Sequence, residues 1–135
     1  MPNRKRYRKI MMPPLMEGFK PFGIPVRKIE KVILLFEEYE AIRLCDYENL
    51  TQEEAAERMH ISRPTFNRLY NHARYTIAKA LIEGRMILIQ GGTFMTDNYW
   101  FRCYNCNETM MTLKPIALCR KCNSENLCLL NTKHG

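Results

Sequence analysis

The chain of 135 residues has no apolar run long enough to cross a membrane as a helix. Its basic N-terminus is not followed by a hydrophobic segment, so we do not expect a secretory signal peptide. It also has no nucleophile–base pair, no glycine-rich phosphate loop after a predicted strand, and no paired carboxylates in a pocket setting. The three histidines have no companions at metal or catalytic spacing. These absences predict a cytoplasmic protein that is not an enzyme.

Charge is distributed unevenly along the chain, whose net charge is +7. Residues 27–58 are acidic, with nine Asp/Glu against five Lys/Arg, whereas residues 1–26 and 59–92 are basic. A clustered positive charge favours an anionic partner. Residues 1–26, which contain several prolines, form a basic arm. We predict that this arm contacts phosphates or enters the minor groove of DNA. The alternative is a disordered, solubilising tail. The candidate DNA contacts in this arm are Arg4, Lys5 and Arg6.

The segment 52–69 has the pattern of a helix-turn-helix, the unit that places a helix in the DNA major groove. Thr51 and Glu54 form a T-x-x-E capping box for the first helix, and Ser62 can cap the second. The residues between are too few for anything but a tight turn, in which His60 tolerates a left-handed conformation. The alternative is an ordinary helical hairpin. The residues expected inside are Ala55, Ala56, Met59, Ile61, Phe66 and Leu69.

The second helix, starting at Ser62, presents polar and cationic side chains without an acid among them. Arg and Asn recognise guanine and adenine edges in the major groove, so we predict DNA-binding residues in its first turns. We expect Asn67 and Arg68 to contribute most of the base recognition. The full set of candidates on this helix is Arg63, Thr65, Asn67, Arg68 and Asn71. The helix is predicted to continue through Leu81 to a stop at Gly84, and its second half is core or a homodimer seam.

Two CxxC pairs, separated by twelve residues, predict a zinc-ribbon-like module at residues 93–135. Four thiolates would close the coordination shell of one structural zinc, with iron less favoured. Two disulfides or a redox dithiol pair are the alternatives. Strands are expected at 99–101, 113–118 and 127–130. The candidate ligands are Cys103, Cys106, Cys119 and Cys122.

The remaining segments complete a mainly α fold class, with a helix-turn-helix domain followed by the small β module. Residues 32–36 are a strand or a helix entry, and a helix is predicted over 37–47, with Glu37, Glu38 and Glu40 mostly outward. Residues 85–90 read as a strand, closed by a Gly-Gly pair that marks the domain boundary. The predicted domains are 1–26, 27–92 and 93–135.

About residues 1–92 resemble an uncharacterised prokaryotic family of predicted DNA-binding proteins, whose helix-turn-helix is similar to region four of sigma factors. The resemblance implies a helical DNA-binding domain, with no established target or catalytic role. His60 stands where the family usually has glycine, and Leu35 where a capping Thr or Ser is common. The cysteine module lies outside the matched region. The segments that show the resemblance are Phe19–Pro25, Glu38–Asp46, Leu50–Ala56, Ile61–Phe66 and Gly91–Gly92.

Three functions compete on this basis. The first is a sequence-specific DNA-binding protein that regulates transcription. The second is an adaptor, in which the zinc ribbon docks on a protein such as RNA polymerase. The third is an RNA-binding accessory protein, in which exposed aromatic side chains stack on bases.

Overall fold

The computed structural model describes residues 8–92 and 94–131. The helices are α1 (Phe36–Ile42), which runs into a π-helical turn (Arg43–Tyr47), α2 (Gln52–Arg58) and α3 (Arg63–Glu83), with a short 3₁₀ turn at Val26–Lys28. The strands are β1 (Arg8–Lys9), β2 (Gly18–Phe19), β3 (Lys31–Leu34), β4 (Met86–Ile89), β5 (Phe94–Met95), β6 (Tyr99–Cys103), β7 (Thr109–Thr112) and β8 (Leu127–Leu129). In these two described stretches, none of the helices combines the length and the apolar character that a membrane span requires.

The fold is α+β, so the predicted mainly α class is wrong. The reason is that β4 acquires two partners. It pairs in parallel with β3 and antiparallel with β2, which gives a sheet of order β2-β4-β3. The unpaired backbone groups of a single strand would be costly in a packed setting, and β2, from the predicted arm, supplies them with partners. Gly18 permits this pairing, because a Cβ there would lie 1.9 Å from the carbonyl oxygen of Ile87.

The caps predicted for α2 and α3 are confirmed. The Thr51 hydroxyl accepts a hydrogen bond from the Glu54 amide at 3.1 Å, and Glu54 Oε1 accepts one from the Thr51 amide at 3.1 Å. Ser62 Oγ accepts from the amide of Thr65 at 3.3 Å. His60 has φ of 58° in the turn, as its position required. These local interactions set where each helix begins.

The α2–turn–α3 unit buries the small and apolar residues that the sequence indicated. Phe66 is fully buried and stacks on Tyr70, with ring centroids 5.7 Å apart. Gly84 ends α3 with φ of 66°. Leu81 is 76% exposed, so it is not part of the core of this chain, and the homodimer seam stays a prediction for this half of α3. This unit packs on α1 and the π-helical turn, and Ile61 and Leu69 are only partly buried in it. The fully buried cluster comprises Ala41, Leu44, Ala55, Ala56, Met59, Phe66 and Tyr70.

The predicted outward glutamates of α1 are buried, which corrects their assignment. Glu37, Glu38 and Glu40 are at most 4% exposed. A buried carboxylate requires a donor, and each has one. Arg8 Nε lies 3.5 Å from Glu37 Oε2, His72 Nδ1 contacts Glu38 Oε2, and Arg43 Nε donates to Glu40 Oε1 at 2.6 Å. These carboxylates therefore connect α1 to β1, to α3 and to its own π-helical turn.

The C-terminal module is a sheet of order β7-β6-β8. The expected strand at 113–118 is misplaced, since the strand that follows β6 and pairs with it is β7, which ends at Thr112. The turn after Cys106 explains the shift. Asn107 adopts φ of 63°, which reverses the chain at once and lets pairing begin at Thr109. The other two expected strands are present as β6 and β8.

The module shares a hydrophobic core with the helices. Trp100 of β6 is fully buried, and its ring meets Phe36 of α1 edge-on at 6.0 Å between centroids. A second link is β5, which pairs in parallel with β1. The buried cluster at this junction is Ile10, Leu34, Phe36, Ala73, Ile89 and Trp100.

Candidate metal centre and nucleic-acid surface

The two CxxC pairs form matching turns. In each, the amide of an asparagine donates to the carbonyl of the first cysteine: Asn107 to Cys103 at 2.8 Å, and Asn123 to Cys119 at 2.9 Å. Both asparagines are left-handed, with φ of 63° and 61°. Asn tolerates this conformation better than most residues, so the sequence C-x-x-C-N favours the turn that brings two sulfurs together.

The four sulfur atoms lie within 4.8 Å of one another, so they could hold a metal ion. The Sγ atoms of Cys103 and Cys122 are 3.6 Å apart, and those of Cys106 and Cys119 are 3.7 Å apart. A tetrahedral ion with sulfur ligands at about 2.3 Å places sulfurs about 3.8 Å apart. All six cysteines are free thiols, which argues against the two-disulfide alternative.

A neighbouring donor favours the thiolate form of Cys122, whereas the pKa of the Cys106 thiol is raised to about 12. Asn105 Nδ2 donates to Cys122 Sγ at 3.4 Å, and this bond is the largest cause that lowers the pKa of the Cys122 thiol to about 6. The Lys121 amide donates to Cys119 Sγ at 3.4 Å. The thiolate is the form that binds metal, so these contacts suit a ligand role. The Lys121 ammonium lies 3.2 Å from Glu108, which joins the two turns.

The predicted DNA contacts on α3 occupy one accessible surface, which we call the α3 polar face. Arg63, Asn67, Arg68 and Asn71 are exposed, and Thr65 is half-buried. No acidic residue occurs from position 59 to 82. The structure therefore brings these five side chains together over the first turns of α3.

Asn67 is held in place on the α3 polar face by two other amides. Its Nδ2 donates to Gln52 Oε1 at 2.8 Å, and its Oδ1 accepts from Asn71 Nδ2 at 3.1 Å. An amide side chain has two donor hydrogens and two acceptor lone pairs. One of each remains on Asn67, which is the pair that an adenine edge requires. Sequence reasoning missed Gln52, although its place directly after the Thr51 cap is a usable signal.

Arg68 is oriented from the start of its own helix. Its Nη2 lies 3.4 Å from Thr65 Oγ1, and that hydroxyl accepts from Ser62 Oγ at 2.9 Å. Only one of five guanidinium hydrogens is engaged in this contact, so the fork stays available for a partner.

The basic arm is only partly described. Arg4, Lys5 and Arg6 lie outside the described residues. Arg8 and Lys9 are described, and they pair with Glu37 at 3.5 Å and with Asp97 at 2.8 Å. These two cations therefore join the arm to the fold.

The comparisons with known proteins give a consistent family match. The family described as "Protein of unknown function DUF134" matches residues 1–97, which confirms the resemblance to an uncharacterised prokaryotic family. A UPF0251 protein of Chloroherpeton thalassium is 41% identical over 142 aligned positions, covering 100% of this chain and 94% of the relative. A UPF0251 protein of Methanothermobacter thermautotrophicus is 40% identical over 128 positions, covering 94% and 67%. No solved structure matches the chain. The similarity thus extends into the cysteine module, beyond the part that the sequence resemblance covered.

Proposed function

This chain belongs to the DUF134 family, and we propose that it is a sequence-specific DNA-binding protein that regulates transcription. In this proposal α2, the turn and α3 act as a helix-turn-helix, and α3 enters the major groove from its Ser62 end. The role is binding rather than catalysis.

The α3 polar face is the observation that supports this proposal best. It combines exposed Asn67 and Arg68, a stretch of α3 without acidic residues, and the amide network through Gln52 and Asn71. Side chains held before binding lose less conformational entropy on binding, so the network favours base recognition over loose phosphate contact. A generic helical hairpin gives no reason for such an arrangement.

We further propose that the four-cysteine cluster holds one structural zinc ion. Cys103, Cys106, Cys119 and Cys122 supply thiolates at distances close to those of a tetrahedral shell. The ion would supply a closed four-sulfur cross-link and no open position for a catalytic water. Iron in the same shell is less favoured, because nothing else in the chain suggests electron transfer.

A protein adaptor is the second candidate, and the exposed apolar side chains near the end of α3 favour it. Leu81 and Ile82 are 76% and 86% exposed. A Cβ at Gly84 would lie 2.6 Å from Ile24 Cδ1, so the segment with exposed Phe22 and Val26 runs beside them. Contiguous apolar surface is typical of protein contacts, such as RNA polymerase or a second copy of this chain. Binding to polymerase without DNA would favour this candidate.

An RNA-binding role has less support from the aromatic residues. Trp100 is fully buried and Tyr70 is 8% exposed, so neither ring is available for base stacking. Tyr75 is exposed, but a single ring does not make a stacking platform. Competition between duplex DNA and structured RNA at matched salt separates the two roles.

The test begins with selection of genomic DNA fragments that bind the purified protein, which yields a preferred site. Asn67→Ala and Arg68→Ala are then compared on that site and on random DNA. Each should cost about 1–3 kcal/mol on the preferred site, with little change on random DNA, because each removes a base-edge contact.

Arg74→Ala is the matched control, since it removes one exposed positive charge further along α3. It should change both affinities alike and by less. Melting curves recorded for every variant confirm that the fold is intact. Equal losses on both DNAs for Asn67→Ala and Arg68→Ala would show that this helix only contacts the backbone, and would refute sequence-specific reading by these residues.

A further inference from the structure

A cavity of about 350 Å³ lies where the N-terminal segment, the start of α1, the end of β4 and the C-terminal module meet. Its walls are mainly apolar and come from all four parts of the chain, with Met16, Phe36, Leu88 and Leu130 among them. Small-molecule sites in proteins are apolar concavities of about 300–1,000 Å³ with a few placed polar groups. This cavity has the size and the lining of such a site.

Arg102 is the cationic side chain in its wall, which also holds the polar side chains of Glu17, Gln90 and Tyr104. The residue is 5% exposed. Its Nη1 and Nη2 reach only the carbonyl oxygens of Leu15 and Pro14, at the long distances of 3.3 and 3.5 Å. Its buried Nε has no hydrogen-bond partner within the described ranges, and no carboxylate there lies at ion-pair distance from it.

An unpaired buried guanidinium is costly, because burial removes the water that would solvate its charge. The metal centre does not face it. Successive side chains of a strand point to opposite faces, so Arg102 points away from the side on which Cys103 holds its sulfur. The energetic reason for a buried Arg102 must therefore be sought in the cavity.

We propose that this cavity binds a small carboxylate ligand with an apolar body, whose carboxylate pairs with Arg102. A guanidinium binds a carboxylate through charge-assisted N–H···O bonds, and Nη1 and Nη2 of Arg102 each carry a second hydrogen that the carbonyl contacts leave unused. The apolar walls would cover the ligand's body. Glu17 also lines the cavity, and its negative charge disfavours a dianion such as phosphate. The ligand class is thus a monoanionic, partly hydrophobic acid. The site is independent of the proposed DNA-binding function.

The experiment uses full-length, metal-loaded protein and 4-fluorophenylacetate as the probe, followed by ¹⁹F NMR line width and by calorimetry. We expect saturable binding. The neutral analogue 4-fluorophenylacetamide should bind at least tenfold more weakly, because it cannot pair with the guanidinium. Inorganic phosphate, run in parallel, should bind more weakly than the acid. The same probe should raise the melting temperature, since a ligand that binds only the folded state stabilises it.

Two variants locate the binding. Arg102→Gln should weaken binding of the acid at least tenfold and leave the amide unchanged. Arg120→Gln, which removes an exposed charge from the same module, is the matched control and should bind like the wild type. Leu129→Trp fills the cavity from its 44% exposed rim residue and keeps the guanidinium, so it should block the probe even if Arg102→Gln does not fold.

The proposal is overturned by any of three results. The acid does not bind in a saturable way, it binds no better than the amide or phosphate, or it binds Leu129→Trp as well as the wild type.

Discussion

Loss of metal from the four-cysteine cluster should destabilise the helices as well as the C-terminal module. The sequence alone predicts that Cys119→Ser would unfold residues 93–135 and leave the rest largely folded. The structure changes that expectation, because Trp100 belongs to the module's central strand and to the core beneath α1 and α3. When β6 loses its order, this core loses its largest side chain.

The size of the effect follows from the burial of Trp100. The side chain is fully buried and packs edge-on against Phe36. Removing a large aromatic side chain from a core costs about 3–5 kcal/mol. A domain of this size has a total stability of about 5–15 kcal/mol. Cys119→Ser should therefore remove on the order of a third of the stability of the helical part.

Trp100 is the only tryptophan of the chain, so its fluorescence reports directly on this junction. We expect Cys119→Ser, or chelation of the wild type, to shift the emission to the red. The helical far-UV signal should also melt at a lower temperature. Cys128→Ser is the matched control, because Cys128 lies outside the cluster of four. It should retain metal, emission and melting temperature.

A metal-free protein that keeps the blue emission of a buried tryptophan and an unchanged helical melting temperature would contradict this prediction. It also fails if protein purified without added metal contains none while all four thiols are reduced and titratable. The first result would separate the module from the helical core. The second would show that the four-cysteine cluster does not hold a metal ion.

Three further predictions concern the core, the sheet and the arm. Phe66→Ala should lower the free energy of unfolding by about 3–5 kcal/mol, because Phe66 is fully buried, and it should weaken binding to every DNA alike. A free energy of unfolding within about 0.5 kcal/mol of the wild type would contradict this. Gly18→Ala should cost about 1–3 kcal/mol in denaturant unfolding, because the new Cβ meets the Ile87 carbonyl, and an unchanged midpoint would count against the β2–β4 pairing. Neutralising the arm cations should reduce the slope of log K against log salt by about 0.9 per lost phosphate contact, whereas a constant slope would make the arm a solubility tail. The cations to replace with Gln are Arg4, Lys5 and Arg6.

The parts of the fold that depend on neighbours within a few residues could be predicted from the amino-acid order alone. The Thr51–Glu54 box, the Ser62 cap and the left-handed His60 each need only a short segment to form, and each is present. The spacing of the CxxC pairs likewise indicated four sulfurs around one point. Both the helix boundaries around the turn and the candidate ligands could therefore be predicted.

The amide network on α3 could be predicted from the sequence only in part. Asn67 was recognisable as a polar residue on an exposed helical face. Its partner Gln52 lies fifteen positions earlier, so the contact depends on how α2 packs on α3. Hydrophobic periodicity says which face is inside, but it does not say which polar side chains meet across two helices.

The fold class, the burial of the α1 glutamates and the junction at Trp100 depend on contacts between distant parts of the chain. A glutamate is assigned to solvent unless a partner is known, and the side chains that contact Glu37 and Glu38 are those of Arg8 and His72, both distant in sequence. β2 and β3 are four residues or fewer, and they exist because β4 pairs with them from about fifty or more positions away. Such contacts carry no periodic signal of their own, because their stability comes from burial and pairing that form only when the whole chain is folded.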